Sequence, residues 1–174
     1  MCASAVAQTK NDSVRVLFIG NSYTYYNNLP ETVQNIAASQ KIKLSYKANT
    51  PGGCTLKKHF QNKKETADIK QGGWDFVILQ EQSVAPAKPT EIVAAETYTY
   101  AFKMDSLIHV YNPKAQVIFY MTWGHKDGSL KSVDNYPIID TYNGMQDRLK
   151  TSYLEMTYKN NAWCAPVGMA WQRV

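Results

Sequence analysis

Gly72-Gly-Trp-Asp-Phe-Val-Ile-Leu79 decides the fold class. Trp74 to Leu79 is apolar almost without interruption, and the glycine pair before it marks a turn. A strand apolar on both sides belongs at the centre of a parallel sheet, where helices cover both faces. Toward the N-terminus, Val14-Arg-Val-Leu-Phe-Ile19 repeats the pattern and ends at Gly20, which makes it the first strand. Leu29-Pro-Glu31 then opens a helix through Gln40, with proline at its start and Val33, Ile36 and Ala37 at helical spacing. Ile42 to Ala48 alternates apolar and polar residues as a second strand and is closed by Thr50-Pro-Gly-Gly53; Leu56 to Phe60 fits a helical turn. Toward the C-terminus, residues 90–111 predict a long helix that stops before Pro113, Ala115 to Met121 a fourth strand, residues 138–159 another helix, and Trp163 to Val167 a fifth strand. Strands alternating with helices at this spacing predict an α/β fold: a five-stranded parallel sheet between two helical layers, a three-layer α/β/α sandwich.

The 174 residues suit one domain, and 44% hydrophobic with 19% charged residues is an ordinary globular composition. No apolar run approaches the roughly 20 residues of a membrane span, which predicts a soluble mature protein. The formal charge of +5 is scattered apart from Lys57-Lys58 and Lys63-Lys64, which argues against nucleic-acid binding. Residues 1–10 read as the tail of a signal peptide, with Ala5-Val6-Ala7 as the small residues before a cut, or as an ordinary disordered N-terminus; Cys2 as a lipid-bearing cysteine ranks lower. The first reading predicts a secreted or periplasmic protein whose domain occupies residues 11–174. Cys54 and Cys164 read as free, and neither they nor any other residues show metal-ligand spacing, so no metal or organic cofactor is implied. The pairs Gly52-Gly53 and Gly72-Gly73 lack the lysine and helix of a phosphate-binding loop.

In an open parallel sheet, reactive side chains gather at the carboxyl edge. Three polar loops meet that condition. Gly20-Asn-Ser-Tyr-Thr24 follows strand one and sets Ser22 near a helix N-terminus; a serine hydroxyl there needs a base to take its proton and N–H donors to hold an oxyanion. Gly53, after strand two, is the candidate second donor, and Gln82, with Gln80 as fallback, offers an amide after strand three. Glu81 receives no catalytic role. Tyr23, Tyr25, Tyr26 and Trp123 border the site and suit stacking on sugar faces, though core packing explains such rings too.

Phe18-Ile-Gly-Asn-Ser-Tyr-Thr24 and Pro51-Gly-Gly53 resemble the first two blocks of the SGNH (GDSL-like) hydrolases, and the chain after residue 14, including Met121-Thr-Trp-Gly-His-Lys-Asp127 and Ala165-Pro-Val-Gly-Met-Ala-Trp171, looks like a Bacteroidota branch of them. The resemblance implies the flavodoxin-like SGNH fold and an esterase for O-acyl groups, chiefly acetyl groups on carbohydrates, with Ser22 attacking while the amides of Ser22 and Gly53 and the Gln82 side chain hold the oxyanion. A departure stands at the third block, Gln80-Glu-Gln-Ser83 in place of Gly-x-Asn-Asp. A second departure is the absence of the Asp-x-x-His block that supplies the family's base after strand five. This predicts that a C-terminal segment carrying the base, with a last helix over one sheet face, is missing. Of the three histidines, His59 is placed on a polar turn and His109 late in a helix. Only His125, after strand four, is positioned to approach Ser22, and it reads more readily as a residue shaping the cleft. The rival reading is a carbohydrate-binding or scaffold protein on the same fold.

Overall fold

The computed structural model describes residues 13–129 and 136–173. The calls on residues 1–10, Cys2 included, lie outside them. Five parallel strands, β1 (Val14–Ile19), β2 (Leu44–Asn49), β3 (Phe76–Leu79), β4 (Gln116–Tyr120) and β5 (Trp163–Ala165), form one sheet in the order β2-β1-β3-β4-β5. This doubly wound order reverses between β1 and β3, and such a switch point opens a crevice at the carboxyl ends of those strands.

Because side chains alternate along a strand, Leu17 and Ile19 of β1, Val77 and Leu79 of β3, and Val117 and Phe119 of β4 share one face. They form a single core with Leu56 of α3 (Leu56–Gln61), Ile69 of α4 (Lys63–Lys70), Met104 and Ile108 of α6 (Thr99–Tyr111), and Leu149 and Tyr153 of α7 (Tyr142–Lys159). The helix predicted over 90–111 is one continuous run: α5 (Thr90–Ile92), a π-helical stretch (Val93–Tyr98) and then α6. On the opposite face, α2 (Leu29–Ser39) packs over β2, and an apolar groove of about 470 Å³ remains between it and the sheet, lined by Val33, Val16, Phe18, Ile78 and Ile118 among others. No helix among the described residues is long and apolar enough to cross a membrane.

Two predicted strand boundaries shift for identifiable reasons. Trp74 and Asp75 precede β3: the positive φ of Gly72 and Gly73 turns the chain, and Trp74 buries its indole, whose Nε1 donates to Asp68 O (2.8 Å). Val167, read as strand, starts α8 (Val167–Trp171), because Pro166 lacks the N–H that would continue the ladder. The Gly168 amide donates instead to Met121 O (3.0 Å). Cys54 is buried and Cys164 half-buried; among the described residues neither forms a disulfide, and burial pushes both thiols up from their ordinary pKa.

Candidate active site

Ser22 begins α1 (Ser22–Tyr25) directly after β1, at the switch point. Asn21 caps this turn: its Oδ1 accepts from Tyr23 N (3.2 Å), and its carbonyl accepts from Thr24 N (2.9 Å) and Tyr25 N (3.1 Å). The Ser22 amide and hydroxyl form no hydrogen bond with another described residue, so both remain available to a ligand in the crevice.

Asn21 also ties together the loops that follow β1, β2 and β3. Its Nδ2 donates to Cys54 O (2.9 Å) in the loop after β2, and its Oδ1 accepts from Gln80 Nε2 (3.0 Å) after β3. Gln80 is fully buried and its Oε1 accepts from Asn21 N (2.9 Å) and Thr24 Oγ1 (2.9 Å). Its second Nε2 hydrogen goes to Glu81 O. Both amide hydrogens are therefore engaged in scaffolding, which removes Gln80 as the fallback oxyanion donor. Gly20 must be glycine for this packing: a Cβ there would lie 2.6 Å from Gln80 Oε1 and would strike Thr24 Oγ1.

Gly53 lies in a left-handed turn (φ 64°), exposed, with an amide that enters no hydrogen bond among the described residues. The neighbouring Gly52 stands beside Tyr25, whose hydroxyl would be 3.8 Å from a Cβ at that position, so the loop after β2 borders the Ser22 turn. Gln82 is half-buried. Its Oε1 accepts from Val84 N (2.9 Å) and Ala85 N (3.0 Å), and its Nε2 donates to Ser83 Oγ (3.1 Å), which leaves one amide hydrogen. Ser83 bonds the Tyr23 hydroxyl, whose burial raises its pKa against that bond. The loop after β3 therefore reaches the residue next to Ser22.

Glu81 is almost fully buried. Its Oε1 accepts from Leu56 N (3.1 Å) at the start of α3 and from Gln82 N (2.7 Å), linking the loops after β2 and β3. Desolvation outweighs these donors and pushes its pKa from an ordinary 4.5 to about 7.

An aromatic cleft adjoins the serine. Tyr23 stacks on Trp123 (centroids 4.5 Å apart, planes at 6°), and Trp123 leans on Trp171 (5.7 Å, 44°). These three rings separate a cavity of about 550 Å³, reached by His125, Lys126 and Tyr142, from one of about 390 Å³, reached by Tyr26 and Asn27. Tyr25 and Tyr26 stack on each other and are exposed.

The histidines separate clearly. His109, on α6, faces Asp105 (3.3 Å). His125 lines the larger aromatic cavity. His59 is not on a polar turn: it is fully buried beneath the Ser22 loop, with Nε2 2.8 Å from Gly20 O and Nδ1 on Glu65. The lysines beside it, Lys57 and Lys58, point outward, and this local polarity hid the inward position. Sequence reasoning offered Gln80 only as a fallback oxyanion donor, His59 only as a residue on a polar turn and Asn21 only as part of the Gly-Asn-Ser block; it missed the buried contacts by which all three hold the serine turn. Among the described residues, no histidine is hydrogen-bonded to Ser22.

No protein-family model matches the chain, and no curated protein matches it by sequence. Solved structures do. A DUF4886 family protein from Bacteroides uniformis superposes with a TM-score of 0.71 at 15% identity, over 92% of this chain and 70% of that one. The SGNH-hydrolase family esterase AlinE4 matches at a TM-score of 0.62 and 13% identity, over 88% of this chain and 76% of its own. The acetyl xylan esterase AlAXEase matches at 0.61 and 11%, over 87% and 76%. The sheet order, the serine turn at the switch point and these superpositions together give one conclusion: the chain has the SGNH-hydrolase fold.

Proposed function

We propose that the protein is a secreted or periplasmic serine esterase acting on O-acyl groups, chiefly acetyl groups, of carbohydrates. The observation that carries this is Ser22 itself: an uncommitted hydroxyl at a helix start on the switch point, with the unbonded Gly53 amide in the adjoining loop and stacked aromatic rings beside it. Ser22 Oγ attacks the acyl carbon while its own amide, the Gly53 amide and the Gln82 side chain hold the oxyanion. The ester C–O bond breaks, the sugar hydroxyl leaves with the proton, and water then releases the acid from the acyl-serine. The Tyr23–Trp123 stack offers a platform for a pyranose face, and an acetyl xylan esterase among the structural neighbours supports that substrate class.

Without a histidine at Ser22, hydrolysis by this chain is expected to be slow, by roughly a thousandfold or more relative to a complete triad. Added imidazole supplies a base from solution. The expected result is p-nitrophenyl acetate hydrolysis that rises with imidazole and disappears in Ser22→Ala once the imidazole background is subtracted. The second reading, a carbohydrate-binding protein without turnover, is favoured by the lack, among the described residues, of a histidine hydrogen-bonded to Ser22 Oγ. It would be supported by an absence of Ser22-dependent hydrolysis at any imidazole concentration together with binding of acetylated xylo-oligosaccharide. Both readings use the aromatic cleft, so Trp123→Ala is expected to weaken oligosaccharide binding about tenfold, as the loss of one stacking partner does; isothermal calorimetry measures it.

A further inference from the structure

We propose that His59 and Glu65 form a buried pair that positions the Ser22 turn by holding the carbonyl of the Gly20–Asn21 peptide, which makes His59 a positioning residue for the nucleophile; this role rests on the Ser22 reading above. His59 projects from α3 into the interior and is fully buried, where an imidazole needs a partner for each ring nitrogen. Gly20 O, 2.8 Å from Nε2, can only accept, so Nε2 carries a hydrogen. Nδ1 then pairs with Glu65 Oε2, and Asn62 Nδ2 donates to Glu65 Oε1 (2.9 Å), so the buried carboxyl is satisfied on both oxygens.

The carbonyl that His59 holds belongs to the same peptide unit as the Asn21 N–H, which donates to Gln80 Oε1 (2.9 Å). A peptide is planar, and a bond at each end of its C=O and N–H fixes the rotation of that plane. That rotation sets where Asn21 caps α1 and hence where the Ser22 amide and hydroxyl point. The helix bearing His59 is itself anchored: Thr55 Oγ1 accepts from Lys58 N (3.2 Å), and Glu81 Oε1 accepts from Leu56 N (3.1 Å). A histidine present only to fill space would be replaceable by leucine without consequence for this peptide. A histidine that acts through Nε2 would be replaceable by glutamine, whose amide nitrogen reaches about as far, and not by asparagine, whose shorter amide reaches only the Nδ1 position and Glu65.

The test compares wild type with His59→Gln, His59→Asn and His59→Leu. Amide hydrogen exchange at Asn21 reports the hold on the peptide, and the rate of Ser22 labelling by a fluorophosphonate reports its effect on the serine. His59→Leu and His59→Asn are expected to speed exchange at Asn21 and slow labelling, each on the order of tenfold, as one lost buried hydrogen bond implies, while exchange in β4 and α7 stays at the wild-type rate. His59→Gln is expected to stay within about threefold of wild type in both. His59→Asn keeps a partner for Glu65 and serves if His59→Leu does not fold. Wild-type exchange at Asn21 in His59→Asn, or equal damage in His59→Gln and His59→Asn, would overturn the proposal. Labelling is run with imidazole as the base; if wild type is still not labelled at Ser22, the nucleophile reading fails, and the exchange rates alone decide whether His59 holds the peptide.

Discussion

Replacing Gln80 by methionine is expected to lower the stability of the protein by about 4 kcal/mol, measured as a shift in urea unfolding. Methionine matches glutamine in length and volume, so the substitution leaves no cavity and removes only the amide. Gln80 accepts from Asn21 N and Thr24 Oγ1 and donates to Asn21 Oδ1 and Glu81 O, all within a region closed to water. Each buried group left without a partner costs about 1–3 kcal/mol, and partial relaxation of the Thr24 hydroxyl keeps the sum below the simple total. Because Asn21 also holds Cys54 O, the damage should spread to the loop bearing Gly53. The comparison variant is Gln82→Met: Gln82 is half-buried and caps a short turn, so a loss of about 1 kcal/mol is expected. Equal losses in the two variants would show that Gln80 does not anchor the serine turn.

Glu81→Gln is expected to stabilise the protein at pH 8 by about 3 kcal/mol and to have little effect at pH 4. Burial raises the Glu81 carboxyl from 4.5 to about 7, so the folded state favours the protonated form. The stabilisation from that protonated form is fully present below about pH 4.5 and is lost as pH rises through about 7, because the folded protein must then bury a carboxylate. At about 1.4 kcal/mol per pH unit, that interval amounts to about 3 kcal/mol. Glutamine keeps the oxygen that accepts from Leu56 N and Gln82 N, and its amide hydrogens face a small cavity of about 130 Å³ shared with Thr55, Glu96 and Thr97. Urea unfolding of both proteins from pH 4 to 8 measures the difference, in which other titrating groups cancel. Parallel profiles would mean that Glu81 ionises freely in the fold.

The elements were legible because their signals are local. Apolar runs at Val14–Ile19 and Phe76–Leu79, proline at the start of α2 and Pro113 after α6 each act through the backbone of a few neighbouring residues, so their reading needs no knowledge of the rest of the chain. The Gly-Asn-Ser turn after β1 was readable for the same reason. Its surroundings were not. Gln80 and Glu81 sit in a polar run that the sequence offers as solvated loop, and His59 stands between Lys58 and Phe60, yet all three are buried. A buried polar side chain is stabilised by partners distant in sequence: Gln80 lies 59 residues from Asn21, and His59 39 residues from Gly20. By itself the sequence determined the five strands, the longer helices α2, α6 and α7 and the candidate serine, which follow from local hydrophobic period and turn chemistry, but not α4 or α8. Only the tertiary structure decided which polar groups hold that serine in place, because hydrogen-bond satisfaction in an interior is a property of the packed chain.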